Sequence, residues 1–231
     1  MIYIVGNKIK SGGKGFWNEG SSYQKSPIYR KIEGSLPPVN YDEHILKPHS
    51  LTHAESARHT QNEGSTLDKI IENHPEYFVG ECLVIKFRPE YKNIGDNLFL
   101  HEISRKELSQ KIELLSVGKH KPQKVLITTE DYPVNEDGYH AENYILILSR
   151  EAAEFLCELP EFHLFGTTWK STDYQPGKFE RPIHDIIFKK AVIFELLKLN
   201  QVPEGYYFFS GMPLYLDGVS ESPVTPLLIT M

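Results

Sequence analysis

Histidine beside glutamate is the pairing in this chain that could do chemistry. The tripeptide His-Ala-Glu occurs twice, at His53-Ala54-Glu55 and at His140-Ala141-Glu142. In a deaminase-type zinc site such a pair supplies one metal ligand and a proton shuttle, and a later Cys-x-x-Cys supplies the thiolates. Here Cys157 stands alone before Glu158-Leu159-Pro160, so two of three ligands are missing. One histidine does not close a zinc site, and both motifs read as surface histidines beside acids. A second grouping is His44, His49, His53 and His59. His49 and His53 are four apart and could share a helix face. Pro48 makes His49 a first-turn residue at best, and no glutamate follows at the metalloprotease spacing. No metal ligand is assigned.

Nucleophilic catalysis finds no foothold. Ser149 and Ser210-Gly211 lack a Gly-x-Ser-x-Gly elbow, and Cys157 falls inside a predicted helix, where burial raises a thiol pKa. Ser11-Gly12-Gly13-Lys14-Gly15 is half a phosphate-binding loop without the Lys-Ser/Thr ending, so it reads as a flexible arm. The aromatic run 206–209 could stack bases, but without basic neighbours it reads as core. No catalytic residue and no cofactor follow from the sequence.

The net charge of −6 argues against a nucleic-acid partner, because phosphate binding needs a clustered basic face. The densest basic group, Lys119, His120, Lys121 and Lys124, reads as a solvated loop. With 40% hydrophobic and 24% charged residues the chain is globular, and 231 residues suffice for one large domain or two small ones. No run approaches the ~20 apolar residues of a membrane span. Residues 1–6 are too short for a signal peptide and lack a small-residue cleavage site. Cys82 and Cys157 sit on apolar stretches and read as buried free thiols. The expected location is cytoplasmic.

These residues need elements to position them. Strands are expected at 2–5, 77–87, 112–117, 124–129, 143–148 and 206–209. Helices are expected over 52–72, interrupted by Gly64, and over 104–111, where Ser104 and Glu107 fit a capping box. Two more are expected at 150–159, capped by Ser149, and from Pro182 to Asn200 on the spacing of Ile183, Ile186, Ile187, Ala191, Phe194, Leu197 and Leu199. A polar loop is expected at 131–140. The class is α+β, with a ferredoxin-like split β-α-β core, an extended N-terminal arm and a C-terminal helix plus strand. The divisions are an aromatic-rich arm at 1–50, a core domain at 51–160 and an extension packed on it at 161–231.

The order of His53-Ala54-Glu55, Pro75-Glu76-Tyr77, Arg88-Pro89-Glu90-Tyr91, the run 112–117, the strand 144–148 and the helix 149–159 resembles the non-catalytic N-terminal region of bacterial subtilisin-like serine peptidases. The resemblance covers roughly residues 50–160. It implies a propeptide-like domain that binds a peptidase as folding aid, inhibitor or recognition module. The chain lacks the ordered Asp, His-Gly and Gly-Thr-Ser motifs such a peptidase needs, so it cannot cleave peptides alone by that mechanism.

The expected function is therefore protein binding, to a peptidase domain or a toxin, with no nucleic acid and no membrane. Candidate partner-binding residues are Phe16, Trp17 and Tyr23 in the arm, Tyr144 at a strand edge, and Leu227 and Ile229 in an apolar tail. One alternative is an immunity protein whose acidic face steers onto a basic toxin. A second is an enzyme with a site assembled from dispersed residues such as Glu142, His140, Asp173 and His184.

Overall fold

Alternation decides the architecture. In a strand, successive side chains point to opposite faces. Along β5 (Val79–Phe87), Leu83, Ile85 and Phe87 are buried on one side while Cys82 and Val84 are buried on the other. β8 (Lys124–Thr129) does the same with Val125 and Ile127 against Leu126. Strands buried on both faces belong to the middle of a covered sheet. In the computed structural model, which describes residues 1–135 and 139–231, they are the middle of a nine-stranded one.

The sheet runs β1 (Ile2–Ile4), β14 (Leu227–Thr230), β12 (Gly205–Ser210), β5, β8, β10 (Leu164–Thr167), β11 (Val192–Glu195), β4 (His53–Glu55) and β13 (Glu221–Pro223). Its centre, β5-β8-β10-β11, is parallel and both flanks are antiparallel. It curls into a half-barrel. The hairpin β2 (Tyr23–Tyr29) and β3 (Tyr41–Leu46) stands apart from it. So does a three-stranded sheet of β6 (Lys92–Gly95), β7 (Leu98–Ile103) and β9 (Tyr144–Leu148).

One face is covered by α2 (Arg105–Leu115), α3 (Arg150–Glu158) and α4 (Pro182–Ile187), through Leu108, Ile112, Ala153, Leu156 and Ile187. The other packs on α1 (Leu67–Asn73), Phe78 and the chain after β11. Gly166 sits where the sheet meets that second layer. A Cβ there would lie 2.5 Å from Leu126 Cδ2 and 2.7 Å from Leu197 Cδ1, so close packing requires glycine.

The two capping signals hold. Ser104 and Glu107 form the full capping box of α2, and Ser149 caps α3 by accepting from the Ala152 amide. The ferredoxin-like core is not what forms, because the sheet draws strands from nearly the whole chain and runs parallel at its centre. Three element readings also change. Residues 112–115 finish α2, with Ile112 buried four after Leu108 while Leu114 is exposed. The helical spacing after Pro182 lasts only to Ile187, and Val192, Ile193 and Phe194 are a strand buried on both faces. Where a helix was expected over 52–72, β4 and a 3-10 turn (Ala57–His59) precede α1. The expected polar loop at 131–140 includes 136–138, which lie outside the described residues. Among the described residues no helix is long and apolar enough to cross a membrane.

Candidate metal centre and its flanking cavity

The short strand β4 explains the site. His53 and Glu55 are two apart and therefore share a face. Register then supplies acids from both neighbours: His53 lies opposite Glu195 on β11, and Glu55 opposite Glu221 on β13. Two 3-10 turns flank the strand, Pro48–Ser50 bringing His49 and Ala57–His59 bringing His59. α4 adds His184 from below. Four histidines and three glutamates converge although the chain separates them by up to 172 residues.

Glu55 is the hub. Its Oε1 lies 3.0 Å from His53 Nε2, 3.4 Å from His59 Nε2 and 3.7 Å from His49 Nδ1, and its Oε2 lies 3.3 Å from His184 Nε2. Glu221 Oε2 is 2.9 Å from His59 Nδ1 and 3.2 Å from His49 Nδ1. His53 Nδ1 donates to the Leu51 carbonyl at 2.8 Å, which turns Nε2 toward the carboxylates. His184 Nδ1 is 2.7 Å from Asp173 Oδ2, and its Nε2 is also 3.4 Å from Glu195 Oε1. The Thr172 amide donates to that same Glu195 oxygen.

Proximity reshapes the proton affinities. Burial works against a charge on His53, yet Glu55 and Glu195 lift its pKa to about 9. Burial likewise opposes charge on His184, and Asp173, Glu195 and Glu55 together hold it well above the usual histidine range. The reverse holds for the acids. Against burial, His59, His184 and His53 keep Glu55 well below an ordinary carboxylate, and His49 and His59 bring Glu221 to about 2.

Two observations fit the cluster to a divalent cation. First, among the described residues buried Glu55 Oε2 and Glu195 Oε2 receive no hydrogen bond, and a buried carboxylate oxygen left without one is costly. Second, the ligand atoms of His49, Glu55, His59 and Glu221 lie within 4.8 Å of one another, as do those of His53, Glu55 and Glu195. Imidazole and carboxylate together suit zinc or manganese, and the Leu51 carbonyl is the kind of outer partner that orients a ligating histidine.

Beside the cluster lies a cavity of about 600 Å³, lined by Trp17, Trp169, Tyr174, Lys170, Asp173 and Arg181 among others. Trp17 touches both: its ring centroid is 5.1 Å from that of His49 and 4.6 Å from Lys170 Nζ.

Of the histidines considered from sequence, His49, His53 and His59 meet, whereas His44 stays on the hairpin 2.8 Å from Tyr23 Oη. Of the four dispersed residues, Asp173 and His184 pair, while His140 stacks on Phe16 and Glu142 pairs with Lys170. Phe16 is half-buried on His140, and Tyr144 is stacked on Phe99 within the small sheet. Leu227 and Ile229 are half-buried in β14, between β1 and β12. Both cysteines are free, Cys82 buried and Cys157 half-buried. Sequence reading missed Glu195 and Glu221, which no local spacing marks. The readable signal was the run of His49, His53, Glu55 and His59 taken as strand and turns.

No family model matches the chain. It is 28% identical over 203 residues to the kynurenine formamidase of Paracidovorax citrulli, covering 85% of this chain and 83% of that protein. Isatin hydrolase A from Ralstonia solanacearum superposes with a TM-score of 0.74 at 18% identity, over 100% of this chain and 92% of the other. A structure described as a potential metal-dependent hydrolase with cyclase activity gives 0.68 at 21% identity, over 99% and 96%. These likenesses overturn the subtilisin-like resemblance, and with it the non-catalytic binding module, the inhibitor and the immunity protein. The enzyme alternative fits them better. Over nearly its whole length the chain has the fold of isatin hydrolase and of that cyclase-type hydrolase.

Proposed function

We propose that this protein is a divalent-metal-dependent hydrolase of a small amide, of the aryl formamide or cyclic aryl amide kind. The observation that carries the reading is the convergence of four histidines with Glu55, Glu195 and Glu221 beside a cavity of ligand size. The likeness to a kynurenine formamidase and the fold shared with isatin hydrolase support the same reaction class.

His49, His53 and His59, with Glu55, Glu195 and Glu221, would hold the metal. A divalent cation bound there supplies Lewis-acid polarisation of the carbonyl and lowers the pKa of a water. The chain's own part is proton handling. Asp173 fixes His184 through Nδ1, leaving Nε2 toward the carboxylates. Held protonated by the surrounding carboxylates, that nitrogen gives its proton to the departing nitrogen and is reprotonated from the attacking water, so amide and water become acid and amine. His53, Glu55, Glu195 and His184 are almost fully buried, which keeps bulk water out of the exchange.

The test is hydrolysis of N-formylkynurenine and of isatin by protein loaded with zinc or manganese and by chelated protein. Cleavage of either by the loaded form alone is expected. A fully loaded protein inert toward both, and toward other aryl formamides, would sink the reading.

A further inference from the structure

We propose that the cavity beside the metal centre takes an aromatic acyl compound that carries a carboxylate, and that Arg181 binds that carboxylate. The inference rests on the hydrolase reading of the same site and adds the charge its substrate must bear.

Flat walls select the ring. Trp17, Trp169 and Tyr174 all line the cavity, and the last two lie 6.0 Å apart at 66°. Such surfaces favour planar guests.

The charges lining the cavity are spoken for, with one exception. Asp173 accepts from the Ile183 and His184 amides at 3.0 and 2.9 Å and pairs with the His184 ring. Lys170 Nζ lies 2.6 Å from Glu142 Oε2 and 3.2 Å from the Phe16 carbonyl. Arg181 is different. Its Nη1 donates to the backbone carbonyls of Lys178 and Glu180 at 2.9 and 3.0 Å, with a longer 3.5 Å contact to that of Phe179. Among the described residues its Nε and Nη2 make no hydrogen bond, and no carboxylate stands within ion-pair distance. Arg181 is a half-buried residue, and a guanidinium with one edge tethered and the other unused suits a planar anion, because its fork matches both carboxylate oxygens. A neutral or cationic guest would leave that edge unpaired.

Trp17 and Trp169 are the only two tryptophans and both line the cavity, so intrinsic fluorescence reads its occupancy. Benzoate and benzamide, equal in shape and different in charge, are titrated into metal-loaded protein. Benzoate is expected to bind about tenfold tighter, the scale of one charge-assisted contact. Arg181→Met should remove that preference and leave benzamide affinity unchanged, and Arg181→Lys should restore part of it. Equal affinities in the parent protein, or a benzoate preference that survives Arg181→Met, would overturn the assignment. In kinetics, Arg181→Met should raise KM for N-formylanthranilate about tenfold more than it raises KM for the neutral formanilide. If the loaded parent cleaves neither compound, nor N-formylkynurenine nor isatin, the hydrolase reading fails, and the benzoate titration still decides Arg181.

Discussion

Asp173 grips His184 by ring and backbone at once: Oδ2 lies 2.7 Å from Nδ1 and 2.9 Å from the His184 amide nitrogen. The same carboxylate accepts from the Ile183 amide, so one side chain both starts α4 and sets the imidazole. The tautomer and direction of His184 are thus built into the helix entry.

Asp173→Asn should keep the fold but lose control of that ring. The expected outcome is a fall in kcat of about 10²-fold with little change in KM, the scale of a general acid–base contribution. Steady-state kinetics on the metal-loaded variant check it. Unchanged kcat would remove His184 from proton transfer.

Glu55 belongs to both groups of ligand atoms, so Glu55→Gln should cost more metal than any other single change. Zinc titrated into the chelated parent should raise its melting temperature, since a ligand at 100 times its Kd adds about 2.7 kcal/mol. The variant should show little rise and sub-stoichiometric metal by elemental analysis. A full complement of metal in Glu55→Gln would contradict the assignment.

Gly64 props the turn that carries His59. A Cβ there would collide with the Ala57 carbonyl carbon and lie 2.6 Å from the Arg58 nitrogen, both backbone atoms with nowhere to move cheaply. Gly64→Ala should therefore destabilise by about 1–3 kcal/mol and weaken metal binding by displacing His59. Denaturant melts and metal titration read the two effects separately.

His140 predicts an acid weakness away from the centre. It is 3% exposed, neither ring nitrogen is hydrogen-bonded among the described residues, and burial, with Lys170 nearby, lowers its pKa from 6.5 to about 3. Between those values the unfolded chain binds a proton the folded chain refuses, so stability falls as pH drops from 6.5 toward 3. His140→Phe should flatten that slope and stabilise by about 1 kcal/mol at neutral pH, because an unsatisfied buried polar ring is removed. Thermal melts from pH 4 to 7.5 test it, and an unaltered slope would assign the acid loss to other groups.

Much of the secondary structure was legible because its causes are local. The capping box at Ser104, the cap at Ser149 and the period-two strands at 79–87 and 124–129 depend on neighbours a few residues away. Local pattern misled where two periods overlap. Ile183, Ile186 and Ile187 are helical, and the apolar run after them is a doubly buried strand that helical spacing also fits.

The site depended on pairings no spacing encodes. Taken as helix, residues 52–72 turn His53 and Glu55 to different sides, and the acid beside the histidines goes unnoticed. As strand β4 they share a face, and the register with β11 and β13 delivers Glu195 and Glu221 from 140 residues or more along the chain. Sequence alone determined which donor atoms were available and the elements whose caps or alternation are local, such as β5, β8 and the starts of α2 and α3, but not β4 or β11. Tertiary structure decided that they meet, because burying both faces of one curled sheet forces those edges together.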